Sequence, residues 1–421
     1  MSEAVEKATR AREAAATLRT ASDHQRSDAI RRAADAVERA ADRIVEANAG
    51  DMARARAEGM SEPLQDRLLL DERRVGDIAR SMREVAAQPD PLGRVLLGRT
   101  LASGLRMEQV TVPLGVVAMV YEARPNVTAD AFSLCMRSGN ACVLRGGSAA
   151  HDSCAAIADA CRQGVEQAGL PGDAVQLIDA TGERGHAETE ALMRANGLVD
   201  VLIPRGGARL IQSCVRNATV PVIETGTGNC HVYLHATADP LMAVNVTVNA
   251  KTQRPGTCNS AESLLVDLEA ADVLLPPVLA ALAERGVELV GDEAARSIAA
   301  AQGVPMGAAT ERDWGTEYLA LKMSVRCVSG VDEAIAHINR YGTGHSEAIV
   351  TSDYAAAERF LAGVDAAAVY VNASTRFTDG GVFGLGGEIG ISTQKLHARG
   401  PMGAEALTTT KYLLRGNGQV R

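Results

Sequence analysis

The stretch VVAMVYEARPNVTADAFSLCMRSGNACVLRGGS, residues 116–148, decides the fold of this 421-residue chain. Residues 116–121 are a continuous apolar run bounded by Gly115 and by Arg124-Pro125, as a strand buried on both faces requires. The pattern predicts a helix over 128–138, a short strand over 141–144 and then the turn Arg145-Gly146-Gly147-Ser148. Outward from there the alternation repeats: helix 149–168, strand 175–178, helix 188–195, strand 199–203, helix 208–217 and strand 220–223. Strands alternating with helices of this length predict an α/β protein with a parallel, doubly wound sheet. Such sheets place ligands at the carboxyl ends of their strands.

Before this core, about ninety residues read as helix. Ile30, Ala33, Ala34, Val37, Ala41 and Ile44 recur with helical spacing, while Arg31, Arg32, Asp35, Glu38, Arg39 and Asp42 take the other, solvated face. Pro89-Asp90-Pro91 ends the helical region, and 107–112 alternates like an exposed strand. A second α/β region begins near Leu241, with a helix over 241–251, a strand over 263–267, a break at Pro276-Pro277 and a strand over 366–372. Residues 409–414 read as one more strand. There is no internal repeat and no low-complexity linker, so the domains are expected to interleave.

Composition narrows the class. Lys+Arg 43 against Asp+Glu 52 gives a net charge of -9, which argues against a general nucleic-acid or anionic-membrane binder. Hydrophobic residues reach 46% but aromatics only 3%, so Ala, Val, Leu and Ile must build the cores. No apolar run of ~18 residues is present, and the charged first twenty residues lack the apolar segment of a signal peptide. The eight cysteines form no CxxC pair, as expected in a reducing cytosol. The eight histidines form no ligand cluster, so no metal is expected.

Chemistry is expected at turns. Arg145-Gly146-Gly147-Ser148 and Pro204-Arg205-Gly206-Gly207 each follow a strand and open a helix; Glu224-Thr225-Gly226-Thr227-Gly228-Asn229 follows another strand. Glycine lets backbone approach a ligand, a helix N-terminus offers free N–H groups, and arginine suits phosphate. Each Gly-Gly turn alone reads more as a tight connection than as a site; two with arginine in matching positions tip the balance toward a ligand, and no GxGxxG fingerprint stands here. Cys135, Cys142, Cys154, Cys161, Cys214, Cys230 and Cys327 read as small core residues, and His231 as a hydrogen-bonded structural histidine. Cys258, within RPGTCNS (254–260), has glycine and polar neighbours and Arg254 close by. That setting suits an exposed sulfur of lowered pKa, and spacing alone leaves nucleophile and turn residue equally open.

The segments VVAMVYEARPNV (116–127), IPRGG (203–207), RPGTCN (254–259), DWGTEY (313–318) and VNASTRFTDGG (371–381) resemble the γ-glutamyl phosphate reductase family of the aldehyde dehydrogenase superfamily, also called glutamate-5-semialdehyde dehydrogenases. The resemblance extends from the N-terminal helices to the tail. It implies a Rossmann-like cofactor domain (1–97 and 115–234) interleaved with an α/β catalytic domain (235–387) and a small β oligomerisation arm (98–114 and 388–421). It implies NADPH-dependent reduction of L-glutamyl 5-phosphate to L-glutamate 5-semialdehyde and phosphate through a cysteine thioester, the second step from glutamate to proline.

By the same resemblance Cys258 is the nucleophile, Asn126 the oxyanion donor and Glu224 a secondary catalytic candidate. Glu317 would hold the nicotinamide ribose. Arg145, with Gly146 and Gly147, stands where relatives carry a lysine near the adenosine ribose, and there suits a 2′-phosphate. Pro204, Arg205, Gly206 and Gly207 replace the relatives' Gly-Ser-containing pyrophosphate turn. Arg124, Arg254 and Arg376 are the candidates for the glutamyl carboxylate or phosphate. A cytoplasmic homodimer or homotetramer is expected, since an exposed strand pair needs a partner edge. The upstream glutamate 5-kinase is a candidate partner, because acyl phosphates hydrolyse readily. The competing readings are a hydrolytic or CoA-acylating aldehyde dehydrogenase and a catalytically silent scaffold.

Overall fold

The computed structural model describes residues 2–122, 124–179 and 181–421; Ala123, inside the quoted stretch, lies outside the described residues. The chain forms two compact units. Unit 1 is Met1–Thr225, Gly384–Gly390 and Met402–Arg421, and unit 2 is Gly226–Phe383 and Ile391–Pro401.

Unit 1 opens with α1 (Glu3–Leu18), α2 (Asp23–Arg39), α3 (Ala41–Ala57), α4 (Glu62–Leu68) and α5 (Glu72–Ala86). The α2 start is set by a capping box of Ser22 and Gln25, and its apolar stripe buries Ala29, Ile30, Ala33 and Val37. Then come β1 (Val95–Thr100), β2 (Arg106–Pro113), β3 (Val116–Tyr121), α6 (Asn126–Arg137), β4 (Ala141–Arg145), α7 (His151–Gln167), β5 (Val175–Leu177), α8 (Gly182–Met193), β6 (Val201–Arg205) and α9 (Ala208–Asn217). With so few aromatics, helices pack on small residues. An ideal Cβ on Gly164 of α7 would overlap the Ala33 backbone nitrogen and lie 2.8 Å from the Ala33 Cβ, so only glycine admits this approach to α2.

Strands β3–β6 form a parallel sheet in the order β5-β4-β3-β6. All six residues of β3 are buried, as a continuous apolar run requires.

Unit 2 contains β7 (Cys230–Leu234), α10 (Pro240–Thr252), β8 (Ala261–Asp267), α11 (Ala271–Glu284), β9 (Glu288–Gly291), α12 (Glu293–Ala301), β10 (Gly307–Ala308), α13 (Glu311–Trp314), β11 (Lys322–Val328), α14 (Val331–Tyr341), β12 (Ser346–Val350), α15 (Tyr354–Gly363), β13 (Ala368–Val371), β14 (Ile391–Ser392) and β15 (Gly400–Pro401). Its seven-stranded parallel sheet runs β10-β9-β11-β8-β7-β12-β13. Back in unit 1, β16 (Thr408–Arg415) pairs antiparallel with β2, which pairs with β1. Every residue of β1 is exposed, including Val95, Leu96 and Leu97.

Two expectations are corrected. Residues 220–223 form no ladder strand: Val222 makes a single isolated bridge to Leu202. Proline at 221 lacks the N–H a central strand would need. Pro276-Pro277 does not break the chain, since both lie inside α11. The N–H groups that the prolines lack would have met the carbonyls of Asp272 and Val273, two exposed residues open to solvent, while Leu274, Leu275, Val278, Leu279 and Leu282 anchor the other face in the core.

Candidate active site

The expected site residues fall into two sets, one in each unit. In unit 1, β3 and β6 are neighbours although β4 and β5 intervene in sequence, so the crevice beyond their carboxyl ends is the topological switch point. There the Glu122 N–H donates to the Arg205 carbonyl (3.1 Å), and Glu122 Oε2 accepts from the Gly207 N–H (2.9 Å). Arg205 Nη2 donates to Glu388 Oε1 (3.3 Å), and Thr225 Oγ1 donates to the Pro204 carbonyl (2.7 Å). The turn is thus held on three sides, with Gly206 exposed. A carboxylate already occupies the Gly207 N–H, where a phosphate was expected. Half-buried Arg124 precedes α6, and Glu224 is half-buried. Asn126 is the first residue of α6, and its Nδ2 donates to Asp130 Oδ2 (3.0 Å).

Arg145 ends β4, next to Gly146 and Gly147. Its Nη2 donates weakly to the Gly185 carbonyl (3.4 Å), and among the described residues its buried Nε has no hydrogen-bond partner. Burial pushes the guanidinium pKa down, opposed by Cys214 and Tyr121. A guanidinium held half-dry with an unused donor, at the carboxyl end of a parallel strand, suits a phosphorylated ligand.

In unit 2 the geometry centres on Cys258. Seven of the eight cysteines are buried, and Cys258 alone is half-exposed. Its loop is braced from several directions. Asn259 Nδ2 donates to the Thr378 carbonyl (2.9 Å), and Thr375 Oγ1 donates to the Asn259 carbonyl (2.7 Å). Arg376 Nε donates to Gln253 Oε1 and its Nη1 to Thr257 Oγ1, both at 2.8 Å. Burial first, then the charge of Arg254, lower the Arg376 pKa, with Cys258 and Asp379 acting in the opposite sense. Two guanidinium groups therefore flank the thiol's loop.

Beneath it, Cys230 Sγ donates to the Cys258 carbonyl (3.2 Å), and Glu317 Oε1 accepts from the Gly228 N–H (2.7 Å). Burial raises the Glu317 pKa, and the Gly228 N–H works against it. Gly228, Cys258 and Glu317 precede β7, β8 and β11, so this set lies at the amino ends of its strands. The carboxyl-end rule describes the unit 1 turns and not this set.

One buried ion pair spans the cysteine loop. Lys251 lies in the last turn of α10 and Glu262 is the second residue of β8; Nζ and Oε2 are 2.6 Å apart, and both side chains are fully buried. Glu262 Oε1 also accepts from the Leu319 N–H (3.3 Å), on the segment after Glu317. Burial pushes Glu262 up to about 7 and pulls Lys251 down, each opposed by its partner. Glu262→Ala strands a buried ammonium and is expected to cost about 3–5 kcal/mol, whereas the Lys251→Met/Glu262→Leu double variant loses far less; thermal melting of the two variants checks this. His231 is structural, with Nδ1 2.9 Å from Glu347 Oε2 and both buried.

The comparisons identify the setting. The aldehyde dehydrogenase family model matches residues 1–300 and 315–413. The chain belongs to the aldehyde dehydrogenase family, in its γ-glutamyl phosphate reductase branch. The chain is 53% identical over 420 residues to "Gamma-glutamyl phosphate reductase" of Moorella thermoacetica, covering 100% of this chain and 99% of the relative. It is 49% identical over 421 residues to the protein of that name from Clostridium botulinum, covering 100% of both. The solved γ-glutamyl phosphate reductase of Thermotoga maritima superposes with a TM-score of 0.95 at 45% identity, covering 100% of both chains. As a member of this family the chain is an oxidoreductase with an α/β aldehyde-dehydrogenase-like fold, a nicotinamide cofactor and a small-molecule substrate. Among the described residues no group of His, Cys, Asp or Glu is arranged to hold a metal ion, and no helix is long and apolar enough to cross a membrane.

Sequence reasoning missed Glu122, Asp130 and the Lys251–Glu262 pair. Asp130 carried a signal in its i+4 spacing from Asn126. Glu122 lay inside a quoted motif, with nothing to reveal that it meets the 204–207 turn.

Proposed function

We propose that this chain reduces L-glutamyl 5-phosphate to L-glutamate 5-semialdehyde with NADPH, in proline biosynthesis. The observation that carries the reading is Cys258, the single half-exposed thiol, on a braced loop flanked by Arg254 and Arg376. The thiolate attacks the acyl carbon, and the first oxyanion collapses as the carbon–oxygen bond to phosphate breaks and phosphate leaves with the electron pair. Asn126 Nδ2 and the Cys258 N–H are assigned as the oxyanion donors; removing one such donor typically lowers kcat by about 10²–10³. NADPH, when bound, supplies the hydride that reduces the thioester. The second oxyanion then collapses with loss of the carbon–sulfur bond, which frees the aldehyde and restores the thiolate.

Arg145, with Gly146 and Gly147, is assigned the phosphate-bearing adenosine end of NADP; its unpartnered Nε supports this. Glu317 is assigned the nicotinamide ribose. At the 204–207 turn, phosphate contact falls to Arg205 and Gly206, since Glu122 holds the Gly207 N–H. Glu224 has a lesser role, because phosphate and not water exchanges with the acyl group. Arg124, Arg254 and Arg376 are assigned the substrate's anionic groups. Residues 98–114 and 388–421 are assigned to self-association as a homodimer or homotetramer, supported by β1, which is exposed along its whole length and whose last three residues, 98–100, open this arm.

The reading is tested by NADP⁺ reduction with glutamate semialdehyde, with and without phosphate. Turnover that requires phosphate is expected. Turnover without phosphate, or only with coenzyme A, overturns it. In the same assay Arg376→Ala is expected to raise KM for the aldehyde and leave KM for NADP⁺ unchanged.

A further inference from the structure

An asparagine side chain offers two N–H donors on one side of its amide and an acceptor oxygen on the other. An oxyanion is stabilised by the first and repelled by the second, so Asn126 can act in one orientation only. Asp130 stands four residues on along α6, a spacing at which helical side chains meet. Its Oδ2 accepts a hydrogen bond from Asn126 Nδ2 at 3.0 Å.

We propose that Asp130 is a positioning residue: its carboxylate takes one N–H of Asn126 and so turns the second N–H, and not Oδ1, toward the reacting oxygen. This rests on the assignment of Asn126 as oxyanion donor given above.

The surroundings make this lock depend on pH. Burial pushes the Asp130 carboxyl up to about 7; the Asn126 hydrogen bond and the Arg205 charge work against that, and the Glu388 carboxylate adds to it. Arg205, ending β6, and Glu388, in the 384–390 segment, are the charged groups that face it, and they bond to one another at 3.3 Å. Above neutrality Asp130 is an anion, can only accept, and holds the amide in the productive sense. Protonated Asp130 carries an O–H able to donate to Asn126 Oδ1, which releases the amide to turn its oxygen toward the reacting atoms. Turnover supported by Asn126 therefore falls as pH drops through about 7.

The test uses the intact enzyme in the phosphate-dependent oxidation of glutamate semialdehyde, with Asn126→Ala, Asp130→Ala, Asp130→Asn and the Asn126→Ala/Asp130→Ala double variant. Asp130→Ala is expected to lower kcat roughly tenfold to hundredfold, the scale of a hydrogen bond to a charged group, with both KM values unchanged. The double variant is expected to lose no more than Asn126→Ala alone, because a residue acting through another has no effect in its absence. Asp130→Asn cannot titrate and, like the protonated acid, carries a donor as well as an acceptor, so it should hold kcat near the low acid-side value of the wild type and lack the wild-type rise through pH ~7. Additive losses in the double variant, or an Asp130→Asn profile that matches wild type, overturn the proposal. Wild-type kcat in Asn126→Ala overturns instead the assignment of Asn126 on which it rests. If Asp130→Ala does not fold, the Asp130→Asn profile decides alone.

Discussion

Cys258→Ala is expected to abolish turnover, by a factor on the order of 10⁴ or more, because the whole covalent route begins at this sulfur. The loss should be confined to chemistry. Cys258 is half-exposed, and its loop is held through Asn259, Thr257 and Arg376 and through the Cys258 carbonyl, none of which needs the thiol. The variant should therefore melt like the wild type and still bind cofactor. The other seven cysteines are buried, so the native wild-type protein should take up one equivalent of iodoacetamide and the variant none. Residual turnover within about a hundredfold of wild type would rule out covalent catalysis.

The second large effect is expected at Gly228. Its φ is not in the left-handed region, so alanine is acceptable to the backbone itself. Space forbids it: an ideal Cβ would overlap the carbonyl group of Cys258 and lie 2.7 Å from its Cα. The obstacle is backbone, and Cys230 Sγ and the Thr375–Asn259 bond hold that loop in place. Making room for the methyl group must displace the loop that carries Cys258 or the Gly228 N–H that orients Glu317. Displacement near 1 Å can cost about a hundredfold in rate, and overpacking costs roughly 1–3 kcal/mol. Gly228→Ala is thus expected to lower kcat about a hundredfold and to reduce the melting temperature. Gly76→Ala, whose Cβ meets nothing within 4 Å, is the control and should change neither quantity appreciably. Equal behaviour of the two variants would sink the argument.

What could be read from the sequence follows from the range of the interactions involved. Strand β3 was legible to the residue because its apolar run, glycine and proline are all local signals. The 220–223 stretch has the same apolar look, but whether it joins a ladder depends on a neighbour's free edge and on the N–H that Pro221 lacks. The Pro276-Pro277 pair misled because the cost of unpaired carbonyls depends on exposure, which a pattern of letters does not contain. At the site, glycine turns and a polar-flanked cysteine could be found, while their roles came from resemblance. Lys251 and Glu262 read as ordinary charges, yet both are fully buried, because each finds the other once α10 and β8 are in place. Glu122 meets Gly207 across 85 residues, which no local rule anticipates.

The three-stranded sheet of unit 1 has a consequence for the order of events during synthesis. Strands β1 and β2 are joined by a short turn and can pair as soon as both leave the ribosome. The other edge of β2 waits for β16: Gln109 Nε2 donates to Thr410 Oγ1 (3.0 Å) across a separation of 301 residues. At roughly 5–20 residues per second, that wait is on the order of 15–60 s. Throughout it the nascent chain carries an open strand edge with Met107 and Val110 awaiting cover, the kind of surface at which unfinished chains stick to one another. Shielding of that edge until residue 408 emerges would limit such association.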